Sequence, residues 1–125
     1  MKVGQFVAQG DIMIIKVSDC VDAPLGATPI KSTVPGRTVL AYGKVTGHHH
    51  SVDESVAKLF TASGIGNLPK VGPYRASDKD DAVMVIDAPC AVEHQEHAPF
   101  DLTPGQYVVR RQVTLEAGDI KRVLD

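Results

Sequence analysis

Five histidines fall between residues 48 and 97, three of them adjacent at His48, His49 and His50 and two more at His94 and His97. Imidazole changes charge near neutrality and is the commonest transition-metal donor, so two histidine segments predict a metal centre or a pH-sensitive contact. Histidines in polar loops and at strand ends also occur simply solvated, and three in a row can form an exposed turn. In an extended chain, period 2 sends His48 and His50 to one face and His49 to the other, and a His-x-His pair on one face can chelate one ion. His94 and His97, in Glu93-His94-Gln95-Glu96-His97, are three apart, which suits one side of a turn or a bulged strand end. The candidate metal set is therefore His48, His50, His94 and His97, with Glu54, Glu93 or Glu96 as an added oxygen donor or as a carboxylate that orients a ring. Four imidazoles suit Zn²⁺, Fe²⁺ or Ni²⁺ better than the oxygen-seeking Mg²⁺ or Ca²⁺. The expected cofactor is a divalent transition metal, Zn or Fe, and otherwise none.

The elements that must carry these residues are strands. Val and Ile number 24 against 10 Leu and Met, and β-branched side chains fit a pleated surface better than a helix. Strands are expected at Val3 to Ala8, Ile12 to Val17, Arg37 to Thr46, Val56 to Ala62, Ala82 to Asp87, Cys90 to His94 and Gln106 to Leu115. The parity given above for His48 to His50 holds if Gly47 to Val52 continues the third of these. Gln9-Gly10-Asp11 reads as a hairpin turn, and Leu102-Thr103-Pro104-Gly105-Gln106 as another. Pro24 to Gly36 and Gly64 to Ala82 read as long surface loops. The last dozen residues are expected to close with one short helical turn. The 11 Gly and 8 Pro are scattered along the chain, so they punctuate short elements and mark no domain boundary. Residues 1–125 should form a single, mainly β domain, a small β-barrel or β-sandwich of about seven short strands.

Composition excludes several functions. Thirteen Lys and Arg against 15 Asp and Glu leave a net charge of −2, so no general attraction draws the chain to nucleic acid or an anionic membrane. Apolar runs such as Ile12-Met13-Ile14-Ile15 fall far short of the roughly 20 residues that span a bilayer. Polar Gln5, Gln9 and Asp11 interrupt the stretch where a signal peptide needs its apolar segment, which predicts a cytoplasmic protein. Cys20 and Cys90 lack CxxC spacing and read as buried free thiols. No nucleophile elbow surrounds Ser51, Ser55 or Ser63, and Gly64-Ile65-Gly66-Asn67 is too short for a dinucleotide loop. Strand alternation sends Arg110 and Arg111 to opposite faces, so they read as ion-pairing residues and not as a shared basic patch. Only six aromatics are present, Phe6, Tyr42, Phe60, Tyr74, Phe100 and Tyr107, which leaves a small aliphatic core that self-association would supplement.

His48-x-His50 followed by Glu54 has the HxH-x3-E spacing of the first cupin motif and resembles it locally. That resemblance implies a barrel holding a metal, here on His48, His50 and, in an arrangement different from the family's, one of His94 or His97, with Glu54 or Glu96 as a ligand or the general base. Tyr42 stands where cupins carry a glycine, and Pro104-Gly105 is followed by no histidine. A wider resemblance joins Gly10-Asp11, Val39 to His48, Glu93 to Pro99, Leu102 to Tyr107 and Arg110-Arg111-Gln112 to small uncharacterised phage and bacterial proteins. It implies one β domain with paired histidine segments and carries no activity with it. The expected function is a noncatalytic structural module that forms a homo-oligomer or decorates a larger particle such as a phage capsid. Its histidine cluster would hold the metal, and its location would be the virion if phage-encoded. The alternative is a cupin-like metal-dependent enzyme.

Overall fold

A computed structural model describes residues 1–42, 47–65, 70–71, 74–75, 81–111, 113–116 and 119–122, with side chains for 1–42, 47–65, 70 and 81–111. In chain order the strands are β1 (Phe6–Gln9), β2 (Ile12–Ser18), β3 (Thr28–Pro29), β4 (Arg37–Tyr42), β5 (His49–Asp53), β6 (Ala57–Thr61), β7 (Lys70–Val71), β8 (Tyr74–Arg75), β9 (Asp81–Ile86), β10 (Cys90–Val92), β11 (Phe100–Leu102), β12 (Gly105–Arg111), β13 (Val113–Glu116) and β14 (Asp119–Arg122). There is no helix among the described residues.

The main sheet has six strands in the order β1-β2-β12-β9-β6-β3, each pair antiparallel. Its edges, β1 and β3, are not paired to each other, so the sheet is open and the molecule is a sandwich rather than a barrel. The second layer consists of the β4–β5 and β10–β11 ribbons. A bridge between Ser51 and Glu93, bonded in both directions at 3.0 and 2.9 Å, joins these ribbons. Alternation explains the core. Ile12, Ile14, Tyr107, Val109, Met84, Ile86, Leu59 and Ala57 face one side of the sheet, where they meet Ala41 and Val52 of one ribbon and Val92 and Leu102 of the other.

The main strands lie where the β-branched runs place them, and the β1–β2 hairpin closes at Gly10-Asp11 through the Gln9 to Ile12 pair. Gly105 opens β12 with φ +151°, and a Cβ there would lie 2.4 Å from the Ser18 carbonyl oxygen and 2.7 Å from Lys16 Cε. The backbone of β12 therefore approaches β2 through a position that only glycine fits.

Four expectations change. The two expected long loops contain short strands, β3 in the first, paired to β6, and β7 and β8 in the second. Gly47 to Val52 does not extend β4: His49–Asp53 turns back and pairs with it antiparallel, Tyr42 opposite His49 and Arg37 opposite Asp53. The C-terminal segment forms the β13–β14 hairpin, Glu116 opposite Asp119, instead of a helical turn; Val113, Thr114 and Ile120 favour extended backbone, and Gly118 disfavours helix. Cys20 is exposed, because it lies beyond the end of β2, while Cys90 is half-buried and burial pushes its thiol pKa up. Residues 43–46, where the third expected strand ends, and most of the Gly64 to Ala82 loop lie outside the described residues.

Candidate functional site: a histidine cluster above a buried ion pair

The histidine segments meet where the two ribbons of the second layer join. In β4 the register advances from Val39, opposite Ser51, to Ala41, opposite His50, so Leu40 is an extra residue in a bulge beside the site. β5 then turns His50 inward, fully buried, while His49 faces away with its ring edge against Tyr42 at 5.9 Å. The His94 and His97 rings come from the segment after β10, which the Ser51–Glu93 bridge holds beside β5. Ring centres lie 4.3 Å apart for His50 and His94, 4.5 Å for His94 and His97, 5.7 Å for His48 and His94, and 6.1 Å for His50 and His97. The four histidines of the candidate set thus form one cluster, buried at His50 and half-buried at the other three.

Hydrogen bonding decides what each ring can do. His50 Nε2 lies 2.9 Å from Asp11 Oδ1, and Nδ1 lies 2.7 Å from Gln9 Oε1. The Gln9 amide has only one sensible orientation, because its Nε2 donates to the Ala98 carbonyl at 2.8 Å and reaches the Val92 carbonyl at 3.4 Å. Both His50 nitrogens therefore face side-chain oxygens. Asp11, 1% exposed, supplies the opposing carboxylate. Its second oxygen accepts from Arg111, whose Nη2 also donates to the Tyr42 carbonyl at 2.6 Å. A carboxylate this deep needs partners at both oxygens, and it has them.

His94 is spent differently. Its Nδ1 accepts the backbone N–H of Glu96 at 3.0 Å and of His97 at 3.3 Å, so the ring caps the turn that brings His97 round. Gln95 Oε1 accepts the His49 N–H at 2.9 Å and ties the same turn to β5. His48 Nδ1 lies 3.4 Å from Glu96 Oε1 at the rim.

The acidic candidates separate. Glu96 joins the cluster through His48, and Glu93 pairs with Arg37 at 3.1 Å on the adjoining surface. Glu54 is four residues beyond His50, about 13 Å along an extended chain, where it lines a groove with Thr38 and Lys58. A metal bound at His50 would have to displace Asp11 or Gln9. Among the described residues, no three His, Cys, Asp or Glu side chains stand arranged as a metal-holding group. His48, His94 and His97 are each half-buried, with Glu96 beside His48.

A family model described as a domain of unknown function, DUF8820, matches residues 8–112. The chain belongs to that family. The DUF8820 match starts just before Gln9 and ends just after Arg111, so the whole His50 network lies inside it. No curated protein and no solved structure matches the chain.

Sequence reasoning does not find Gln9, Asp11 and Arg111 as partners of His50. The signal that existed was two polar residues, Gln9 and Asp11, set between strands that feed the core. Arg110 and Arg111 do go to opposite faces: Arg110 makes a two-pronged pair with Asp81, both contacts 2.7 Å, while Arg111 serves Asp11.

Proposed function

We propose that this DUF8820 chain is a noncatalytic β module that works by assembly, on itself or on a larger particle such as a phage capsid, and that its histidine cluster belongs to its frame. The observation that carries this reading is the commitment of the inner rings: His50 is held by Asp11 and Gln9, and His94 by its own turn. A catalytic metal centre keeps an open position on a firmly held ligand set, whereas here the best-held ring has both nitrogens in protein hydrogen bonds. A divalent transition metal such as Zn²⁺ or Fe²⁺ then binds at the rim, through His48 and His97 with Glu96, and reinforces the joint between the ribbons without supplying chemistry. The exposed apolar residues Leu25 and Ile30, on either side of β3, support an assembling surface there.

Metal analysis of untagged protein, Zn²⁺ titration by calorimetry, and light scattering test this together. The expected result is an oligomer or a particle-bound form, with Zn²⁺ binding that His48→Ala and His97→Ala each weaken about tenfold or more through loss of a ligand. A stable monomer holding iron that His50→Ala removes would overturn the reading in favour of the enzyme.

A further inference from the structure

We infer that two copies of this chain dock through the segment of residues 21–30, with Leu25 of each inserted into a groove beside β6 of the other. The inference rests on the assembling reading above and names its partner and surface.

Leu25 is 92% exposed, the most exposed large apolar residue described. It is not on a loose tip. The Ala27 N–H donates to the Pro24 carbonyl at 3.2 Å and Gly26 has φ +82°, which makes Pro24-Leu25-Gly26-Ala27 a type II β-turn with Leu25 at its first corner. The turn is braced from behind: a Cβ on Gly26 would come within 2.4 Å of the Gly64 carbonyl oxygen, so two backbones pack there without a side chain between them. The chain thus holds a leucine rigidly out in water, and a rigid projection loses little freedom when it is buried by a partner.

Beside it lies a groove of about 500 Å³ lined by Ala23, Pro29, Ile30, Leu59 and Phe60, with Glu54 and Lys58 also on its wall. Its origin is the short edge strand. β3 covers β6 only at Thr61 and Phe60, with one more bond from the Ile30 N–H to the Leu59 carbonyl at 2.8 Å, so the sheet edge opens beyond that point.

The occupant is a second copy because knob and socket belong to one segment: Ala23 and Pro29, which flank the turn, form part of the groove wall. A two-fold axis through such a patch seats both knobs at once, the isologous arrangement of most homodimers. The wall also carries one charge of each sign, Lys58 and Glu54, so the same axis can set the lysine of each copy against the glutamate of the other.

Sedimentation velocity and light scattering on the full chain over a concentration series test this. The wild type is expected to dimerise, and Leu25→Asp to weaken dimerisation by at least roughly thirtyfold, as for a central anchor, with its melting curve at low concentration unchanged. Lys58→Glu should weaken the dimer and the combined Lys58→Glu, Glu54→Lys chain restore it. A wild type monomeric throughout overturns both the dimer and self-assembly. A wild-type oligomer that survives Leu25→Asp overturns this face while leaving the assembling reading in place.

Discussion

The two ends of the β4–β5 ribbon solve opposite problems. At the Tyr42 and His49 end, polar groups lie inside, and the His50 network is built of mutual partners: His50 has Asp11 and Gln9, Asp11 has His50 and Arg111, and Gln9 has two main-chain carbonyls. At the Arg37 and Asp53 end, the groove beside β6 and the turn at Leu25 leave apolar groups outside. Hydrogen bonds are directional and saturable, so the His50 network is satisfied within one chain. Apolar surface gains only by being covered, so the second is where the proposed second copy would dock. The comparison teaches that a dense cluster of titratable residues can be the quieter region of a protein, and an ordinary-looking proline- and glycine-rich loop the more sociable one.

The sharpest way to break this comparison is to remove a partner at the buried end. Asp11→Ala leaves His50 and Arg111 without their carboxylate and should lower stability by about 3–5 kcal/mol, the usual loss when one half of a buried ion pair is deleted. Leu25→Ala at low concentration should leave stability within about 0.5 kcal/mol, as for a surface side chain with no structural role. Urea unfolding of both variants checks the contrast, and equal losses would erase it. Next in size is Gln9→Ala, which strips an acceptor from His50 and a donor from two carbonyls and should cost about 1–3 kcal/mol. If Gln9→Ala proves neutral, His50 is held by Asp11 alone.

The smallest effect concerns Asp53, at the open end of the ribbon. The Ser55 backbone N–H and hydroxyl both donate to its Oδ1, with nearby Arg37 adding attraction, and these hold its carboxyl below the usual range against a smaller opposing effect of burial. A carboxylate pKa lowered in the folded state stabilises fully above its unfolded value and loses that contribution as pH falls through the lowered one. Stability should therefore decline slightly with acidification, and Asp53→Asn should flatten that part of the profile. An unchanged profile in Asp53→Asn would show that other carboxylates carry it.

Much of the scaffold was legible in the residues. Ile12 to Val17 reads as a strand because β-branched side chains dominate it, and it lies in the main sheet; of the expected Gln106 to Leu115 strand, β12 takes the part up to Arg111 and β13 begins at Val113. β5 was harder: His49-His50-Ser51-Val52-Asp53 has one β-branched residue in five and no apolar alternation, so nothing local shows that it turns back on β4. The choice of sandwich over barrel rests on two edges, β1 and β3, that fail to meet, and edge closure is not written in any single strand.

By itself the amino-acid sequence determined the short-range facts: strands where β-branched residues recur, a hairpin at Gly10-Asp11, His48 and His50 sharing a parity that His49 does not. These depend on neighbours two or three positions away, where steric preference and the pleat act directly. Only the tertiary structure decided which histidine went inside and what met it there. The partners of His50 come from 39 and 41 positions away, and Asp11 finds Arg111 across 100. A buried polar group is tolerated according to the donors and acceptors that surround it, and those are assembled only when distant strands are brought together.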